Sequence, residues 1–281
     1  MNENPSASDW AAERGEKWLA QVSGLEAMLR PIDEPLIRAL NLDAACRIAD
    51  VGCGAGGTTL EILRRAPAGS IVHGFDLSPA LVEAARRRIR SGESAIAFEI
   101  ADMSAATAPK QLYDRLASRF GIMFFSDPSA AFTNLAQWLA PGGRFAFAAW
   151  RALAENPWMT TVRQTVADFV DLPAPEPGAP GPFRYADAEK LLLLLDRAGF
   201  TRLHVQDWRG ELALGGGLRA AEASDFALTA FSSFCELLTR AGVEALEEAR
   251  RLLATRLSRH ERDGVVRMHA SVHILTGARS F

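Results

Sequence analysis

The chain has 281 residues, 48% hydrophobic and 23% charged, with a net charge of −3 and a pI near 6. That length suits one large α/β domain with insertions, and the charge gives no electrostatic reason to expect nucleic acid. Three irregularly spaced cysteines (Cys46, Cys53, Cys235) make neither a disulfide framework nor a zinc site, and no apolar run approaches the ~20 residues of a membrane span.

Residues 1–9 are polar, with no basic-then-apolar leader pattern, so a cytoplasmic location is expected. From Trp10 to about Leu40 the pattern is helical: Trp18, Val22, Leu25 and Leu29 recur at three- and four-residue steps. Pro31 and Pro35 are expected to break this stretch into two helices. Arg47–Val51 reads as a first strand. The run Asp50-Val51-Gly52-Cys53-Gly54-Ala55-Gly56-Gly57 follows, and Thr58–Arg65 reads as a helix. A second strand, Ile71–Phe75, ends at Asp76, and Ser78-Pro79 supplies a cap and a first-turn proline for a helix to about Arg90. Ile96–Ile100 is a third strand, ending at Asp102, and Leu112–Ser118 a fourth. Asp127-Pro128 repeats the helix start, and this helix is expected to stop at Pro141-Gly142-Gly143. Arg144–Trp150 is a fifth strand. Alternation of this kind predicts a parallel sheet with right-handed crossovers and helices on both faces.

The pattern then changes. Asn156 to about Leu172 looks helical, and 173–182 holds five prolines and two glycines, an extended connection. Asp187 caps a helix through Leu195. Arg202–Leu214 reads as a strand broken by Gly215-Gly216-Gly217. Helical stretches follow at about 223–240 and 244–260, and Val265–Thr276 has strand composition.

A strand, a glycine turn and a helix N-terminus make a place where a nucleotide-like ligand can lie against backbone. The glycines alone are ambiguous. Gly52, Gly54 and Gly57 fit the dinucleotide pattern, whereas Gly52, Gly54 and Gly56 fit the tighter pattern of S-adenosylmethionine sites. Two features favour the second. Asp50 would repel a pyrophosphate but suits a sulfonium and an amino group. A helix, a strand, helices and a last strand also fit a seven-stranded sheet whose final strand inserts antiparallel between the fifth and sixth. Asp76, nineteen residues after Gly57 at a strand end, suits the ribose hydroxyls of either ligand. Asp102 stands at the height of the adenine or is a turn residue.

Taken in order, Asp50–Gly56, Asp76, Ala101-Asp102 and Leu139–Gly143 resemble the successive motifs of class I S-adenosylmethionine-dependent methyltransferases. The runs Ser118–Phe125 and Ala154–Met159 are similar to a bacterial small-molecule subgroup related to the ubiquinone/menaquinone C-methyltransferases. The resemblance implies an α/β, Rossmann-like seven-stranded mixed sheet with its last strand antiparallel, helices on both faces and an added helical cap. It implies S-adenosyl-L-methionine as cofactor and S-adenosyl-L-homocysteine as product. Cofactor contacts are expected at Asp50, Gly52, Cys53, Gly54, Gly56, Asp76, Leu77, Asp102, Met103 and Ser118. Where many relatives carry Asn, His or aromatic residues after the fourth strand, this chain has Ser118-Arg119.

Cap helices are expected at 1–44, and a methyltransferase core at 45–281 with cap insertions at about 152–186 and 215–264. Trp18, Phe120, Trp150, Trp158 and Phe231, with Phe183 and Phe234, are candidates for an apolar acceptor pocket; plain core packing is the competing reading. Strand direction alone places Arg267 and His269 near the site, so His269 is a candidate base. Arg119 is a candidate anion binder or the partner of a nearby acid. His269 and His273 lie about 13 Å apart on a strand, so no metal pair is expected. The predicted reaction moves a methyl group to O, N or C of a small, partly apolar metabolite. An NAD-dependent oxidoreductase and a non-catalytic S-adenosylmethionine-binding protein are the alternatives.

Overall fold

The computed structural model describes residues 13–172, 176, 178–230 and 232–280. Three helices come first: α1 (Glu13–Ala20), α2 (Val22–Leu29) and α3 (Asp33–Ala39). Pro31 lies in a single 3-10 turn, Arg30–Ile32, between α2 and α3. Pro35, expected to break a helix, instead sits in the first turn of α3, where no intrahelical N–H bond is lost. Trp10 lies outside the described residues.

The sheet follows in the expected alternation. Its first half is β1 (Arg47–Val51), α4 (Gly57–Arg65), β2 (Ile71–Asp76), α5 (Pro79–Arg86), β3 (Ile96–Ile100), β4 (Tyr113–Arg119), α6 (Pro128–Trp138) and β5 (Leu139–Trp150). Caps fix the helix starts: the Ser78 hydroxyl accepts from the Leu81 N–H, and the Asp127 carboxylate from the Ala130 N–H. β1 is buried over its last four residues and pairs in parallel with β2 and β4, as a central strand must. The run Pro141-Gly142-Gly143, expected as a helix stop, is absorbed into β5, and the β4–β5 register shifts between Tyr113 and Arg115 to accommodate it.

The second half holds α7 (Pro157–Ala167), α8 (Ala188–Arg197), β6 (Phe200–Ala213), α9 (Ala220–Ala230), α10 (Ser232–Ala241), α11 (Val243–Ser258), β7 (Glu261–Arg262) and β8 (Val265–Arg279). The strand order is β3-β2-β1-β4-β5-β8-β6, with the two-residue β7 hairpinned onto β8. β8 runs antiparallel between β5 and β6. The sheet is therefore Rossmann-like, seven strands long, with its last strand inserted. Strand order reverses between β1 and β4, where ligands bind in open α/β sheets. Among the described residues no helix is long and apolar enough to cross a membrane.

The main core runs through the sheet, and a smaller cluster of Cys53, Val82, Ala85, Ile96 and Phe98 packs α5 and the glycine turn on β3. Phe75, Tyr113 and Trp138 pack edge to face or stacked, with ring centroids 5.1–6.0 Å apart. Helices from both ends of the chain converge over the carboxyl ends of the strands. A Cβ on Gly24 of α2 would fall 2.7 Å from the Phe226 ring of α9, so these two helices meet closely. Lys17 of α1 reaches Glu236 of α10 at 2.5 Å.

Candidate functional site

A cavity of about 1370 Å³ opens at the strand-order reversal. Its floor is the end of β1 and the glycine turn, with the ends of β2 and β4 beside it; its roof comes from α1, α2, α7 and α10. Single small-molecule pockets run to about 1,000 Å³, so this one exceeds what one ligand needs.

Asp50 is the penultimate residue of β1, opposite Gly74 and Ala117. It lines the cavity and is 1% exposed. The Thr59 hydroxyl of α4 donates to its Oδ2 at 2.7 Å, while Oδ1 has no partner among the described residues. Burial pushes its pKa up to about 6, against the Thr59 hydrogen bond and the charge of Arg119. A buried carboxylate oxygen left unpaired is costly, and a donor arriving in the cavity would satisfy it.

Gly52, Gly54 and Gly56 all have positive φ, at 70°, 57° and 83°, but they serve different ends. A Cβ on Gly52 would fall 2.8 Å from the Gly121 Cα, so the turns after β1 and β4 cross backbone to backbone. A Cβ on Gly54 would meet nothing within 4 Å; this is the open cradle of the turn. A Cβ on Gly56 would strike the Phe98 ring at 2.6 Å. Gly56 therefore serves packing between the turn and β3, and it does not line the cavity.

Asp76 ends β2. Its Oδ2 accepts from the Gly54 N–H at 2.8 Å and its Oδ1 from the Ser78 N–H at 2.9 Å. The carboxylate thus pins the glycine turn to the next helix. Burial raises its pKa against those backbone bonds. Each oxygen keeps a further acceptor position. Asp102 is a turn residue: its Oδ1 accepts from the Ser104 N–H at 2.9 Å and the Ser104 hydroxyl at 2.6 Å. It also lines the cavity, as do Cys53, Leu77 and Met103. The Asn134 side chain holds this turn through the Met103 and Ala106 carbonyls.

Besides Gly56, two expected site residues are corrected. Ser118 is fully buried and off the cavity; its hydroxyl donates to the Val51 carbonyl at 2.7 Å and ties β4 to β1. His269 is exposed and outside the cavity. β8 overshoots β5, which ends at Trp150 opposite Val272, so His269 pairs only with Glu211 of β6. Met268 and Ala270 are buried, and alternation turns Arg267 and His269 to solvent. His273 is buried against Asp207 and the Ala186 carbonyl.

Arg119 lines the cavity and pairs with Asp33 of α3 at 3.1 Å, both side chains nearly buried. The Thr58 hydroxyl donates to the same Asp33 oxygen at 2.9 Å. The next residue, Phe120, takes φ 67°, a left-handed conformation strained for an aromatic side chain. Its ring stacks on Trp150 at 4.2 Å, and Trp150 meets Trp158 at 5.1 Å. These three rings and Trp18 all line the cavity. Phe231 lies outside the described residues.

Sequence reasoning missed Asp33, Thr59 and Arg163. The first two carry only short polar side chains at unremarkable helix positions. Arg163 is one arginine among many. It lines the cavity from α7 with its guanidinium carbon 5.9 Å from the centre of the Phe234 ring.

Comparison with known proteins agrees with this fold. A methyltransferase domain model matches residues 48–143. Demethylmenaquinone methyltransferase of Thermus thermophilus is 35% identical over 98 residues, covering 35% of this chain and 44% of that protein. Methyltransferase GfsG of Streptomyces halstedii is 29% identical over 147 residues, covering 52% and 47%. The chain thus spans less than half the length of these curated relatives. The YcgJ protein of Bacillus subtilis superposes with a TM-score of 0.58 over 90% of this chain and 99% of that one; at 15% identity this likeness shows the fold alone.

Proposed function

Residues 48–143 being a methyltransferase domain of the class I, Rossmann-like kind, we propose that the whole chain is an S-adenosylmethionine-dependent methyltransferase acting on a small, partly apolar molecule. One observation carries this reading: Asp50, buried on the cavity wall beside the open cradle at Gly54, keeps an oxygen without a partner. A cationic donor fits there, and a pyrophosphate does not. The named relatives, one acting on demethylmenaquinone, support a small-molecule acceptor.

In this reading Asp50 receives the amino group of the cofactor, Asp76 the ribose hydroxyls through its remaining acceptor positions, and Leu77, Asp102 and Met103 flank the adenine. Gly52, Cys53 and Gly54 form the cradle. The cofactor supplies a methyl group already activated by its sulfonium. The chain's own task is positioning and exclusion of water. Phe120, Trp150 and Trp158 offer an apolar wall for an acceptor, with Trp158 tilted 52° to Trp150, and the helical roof closes over it. No residue is assigned as base, since His269 faces solvent.

Calorimetry with S-adenosylhomocysteine tests the reading. Saturable binding with 1:1 stoichiometry is expected. No heat at millimolar ligand, together with a fluorescence change on adding NADH, would instead favour an oxidoreductase. Binding without methyl transfer to any acceptor in a broad panel would leave a cofactor-binding protein.

A further inference from the structure

Carboxylates line both the floor and the roof of the cavity, with Glu26 of α2 and Glu236 of α10 in the roof. Asp50, Asp76 and Asp102 stand on the floor at the strand ends. Arg163 stands in the roof on α7, half-buried, four residues from Met159 and so on the same helix face. Arg119, the other cation near the floor, is occupied by Asp33. Lys17 is held by Glu236 and Lys190 lies 3.8 Å from Asp187. Arg184 spends a donor on the Phe125 carbonyl. Arg14 also has a partner, and Arg240 stands exposed in the last turn of α10. Arg163 differs from all of these. Among the described residues its contact is the Phe234 ring, and it pairs with no carboxylate. A guanidinium has five donors in a fork that matches carboxylate or phosphate oxygens. The face of a buried aromatic ring fixes such a group without using those donors.

The path to Arg163 is apolar. Phe120 stacks on Trp150, and Trp150 packs on Trp158, which opens the first turn of α7. Arg163 comes five residues later, about 7.5 Å along the helix axis. The same step turns about 140° around the helix, yet Trp158 and Arg163 both line the cavity, so the rings and the guanidinium face one space.

We propose that the acceptor is an apolar, ring-bearing anion, and that Arg163 binds its carboxylate or phosphate group at the end away from the cofactor. The inference rests on the methyltransferase reading for the word acceptor. The anion site itself does not depend on it.

The test uses three probes of one shape on the full chain: 2-naphthoate, 2-naphthyl phosphate and uncharged 2-naphthamide, titrated with and without saturating S-adenosylhomocysteine. At least one anion is expected to bind about tenfold more tightly than the amide, the gain of one charge-assisted pairing discounted for partial exposure. The tighter of the two identifies the anionic group. Arg163→Met should abolish this preference, leave naphthamide binding unchanged and leave S-adenosylhomocysteine affinity unchanged; Arg163→Lys should restore part of it. Equal binding of anion and amide to the parent chain, a preference that survives Arg163→Met, or no binding of any probe would overturn the proposal. If S-adenosylhomocysteine fails to bind while the Arg163-dependent preference persists, the methyltransferase reading falls and the anion site stands.

Discussion

At the scale of single residues, Asp50 controls the most. Its folded pKa of about 6 lies above the ordinary carboxylate value of 3.8. Folding therefore takes up a proton between those values. The ligand-free chain draws up to about 3 kcal/mol from this group below pH 3.8, loses it progressively as pH rises from there to about 6, and draws none above that. A cationic ligand group reverses the preference, because it needs the carboxylate charged. We expect S-adenosylhomocysteine affinity in the parent chain to rise as pH climbs through about 6. Asp50→Asn should flatten that profile, weaken binding by about 1.5–3 kcal/mol and raise the ligand-free melting temperature at pH 7.5. Calorimetry and thermal melts across pH 5–8 check all three; a pH profile left unchanged by the substitution would remove Asp50 from the site. Asp76→Ala should weaken the same ligand by about 1–3 kcal/mol through lost ribose bonds. It should also cost stability, because Asp76 pins Gly54 and Ser78. Asp50 was legible in the sequence because a charge beside a glycine turn is chemically conspicuous. Asp33 was not, since only the fold brings α3 beside Arg119.

At the scale of elements, the glycine turn separates into two functions that its spacing pattern runs together. Gly54→Ala adds a methyl group where nothing lies within 4 Å, at a φ of 57°. It should lose about 1 kcal/mol of stability for the left-handed backbone, and cofactor affinity with it. Gly56→Ala drives a methyl into Phe98 at 2.6 Å. It should destabilise by several kcal/mol, with affinity falling only as the fold does. Comparing urea midpoints with binding constants for the two variants separates these outcomes. Trp158→Ala should cost about 3–5 kcal/mol, because this indole is 3% exposed and packs on Trp150. Alternation of strands and helices was readable from periodicity, whereas the inserted last strand was expected from the order of elements and the family resemblance. The misplacement of His269 has a simple cause. Direction says which end of β8 faces the site, but its length past β5 decides whether a residue reaches it. The extent of β5 was hidden because Pro141, Gly142 and Gly143 are turn formers held in a strand by their neighbours.

At the scale of the whole molecule, the cavity is closed by segments far apart in sequence. α1 and α2 come from one end, α10 from near the other, and Lys17–Glu236 joins them. Glu26 of α2 and the Ala55 carbonyl of the glycine turn share the Arg88 guanidinium at 2.7 Å each, so the roof is also tied to the floor. Ligand binding should therefore protect distant segments together. Hydrogen exchange in α1, α2 and α10 is expected to slow on adding S-adenosylhomocysteine, more than in α6, which gives no residue to the cavity wall, while saturation at one hundred times Kd stabilises the chain by about 2.7 kcal/mol. Exchange that slowed only at the glycine turn would mean the roof does not close on this ligand.

The inserted strand also bears on synthesis. β8 is the bridge between β5 and β6, and it follows both of them in the sequence. Until residues beyond 265 have left the ribosome, β6 has no partner in the sheet. A chain halted there would leave β6 and the outer edge of β5 without the strand they share. The order in which this protein is written is thus not the order in which its sheet is laid, and the final fifteen-residue strand must complete both neighbours at once.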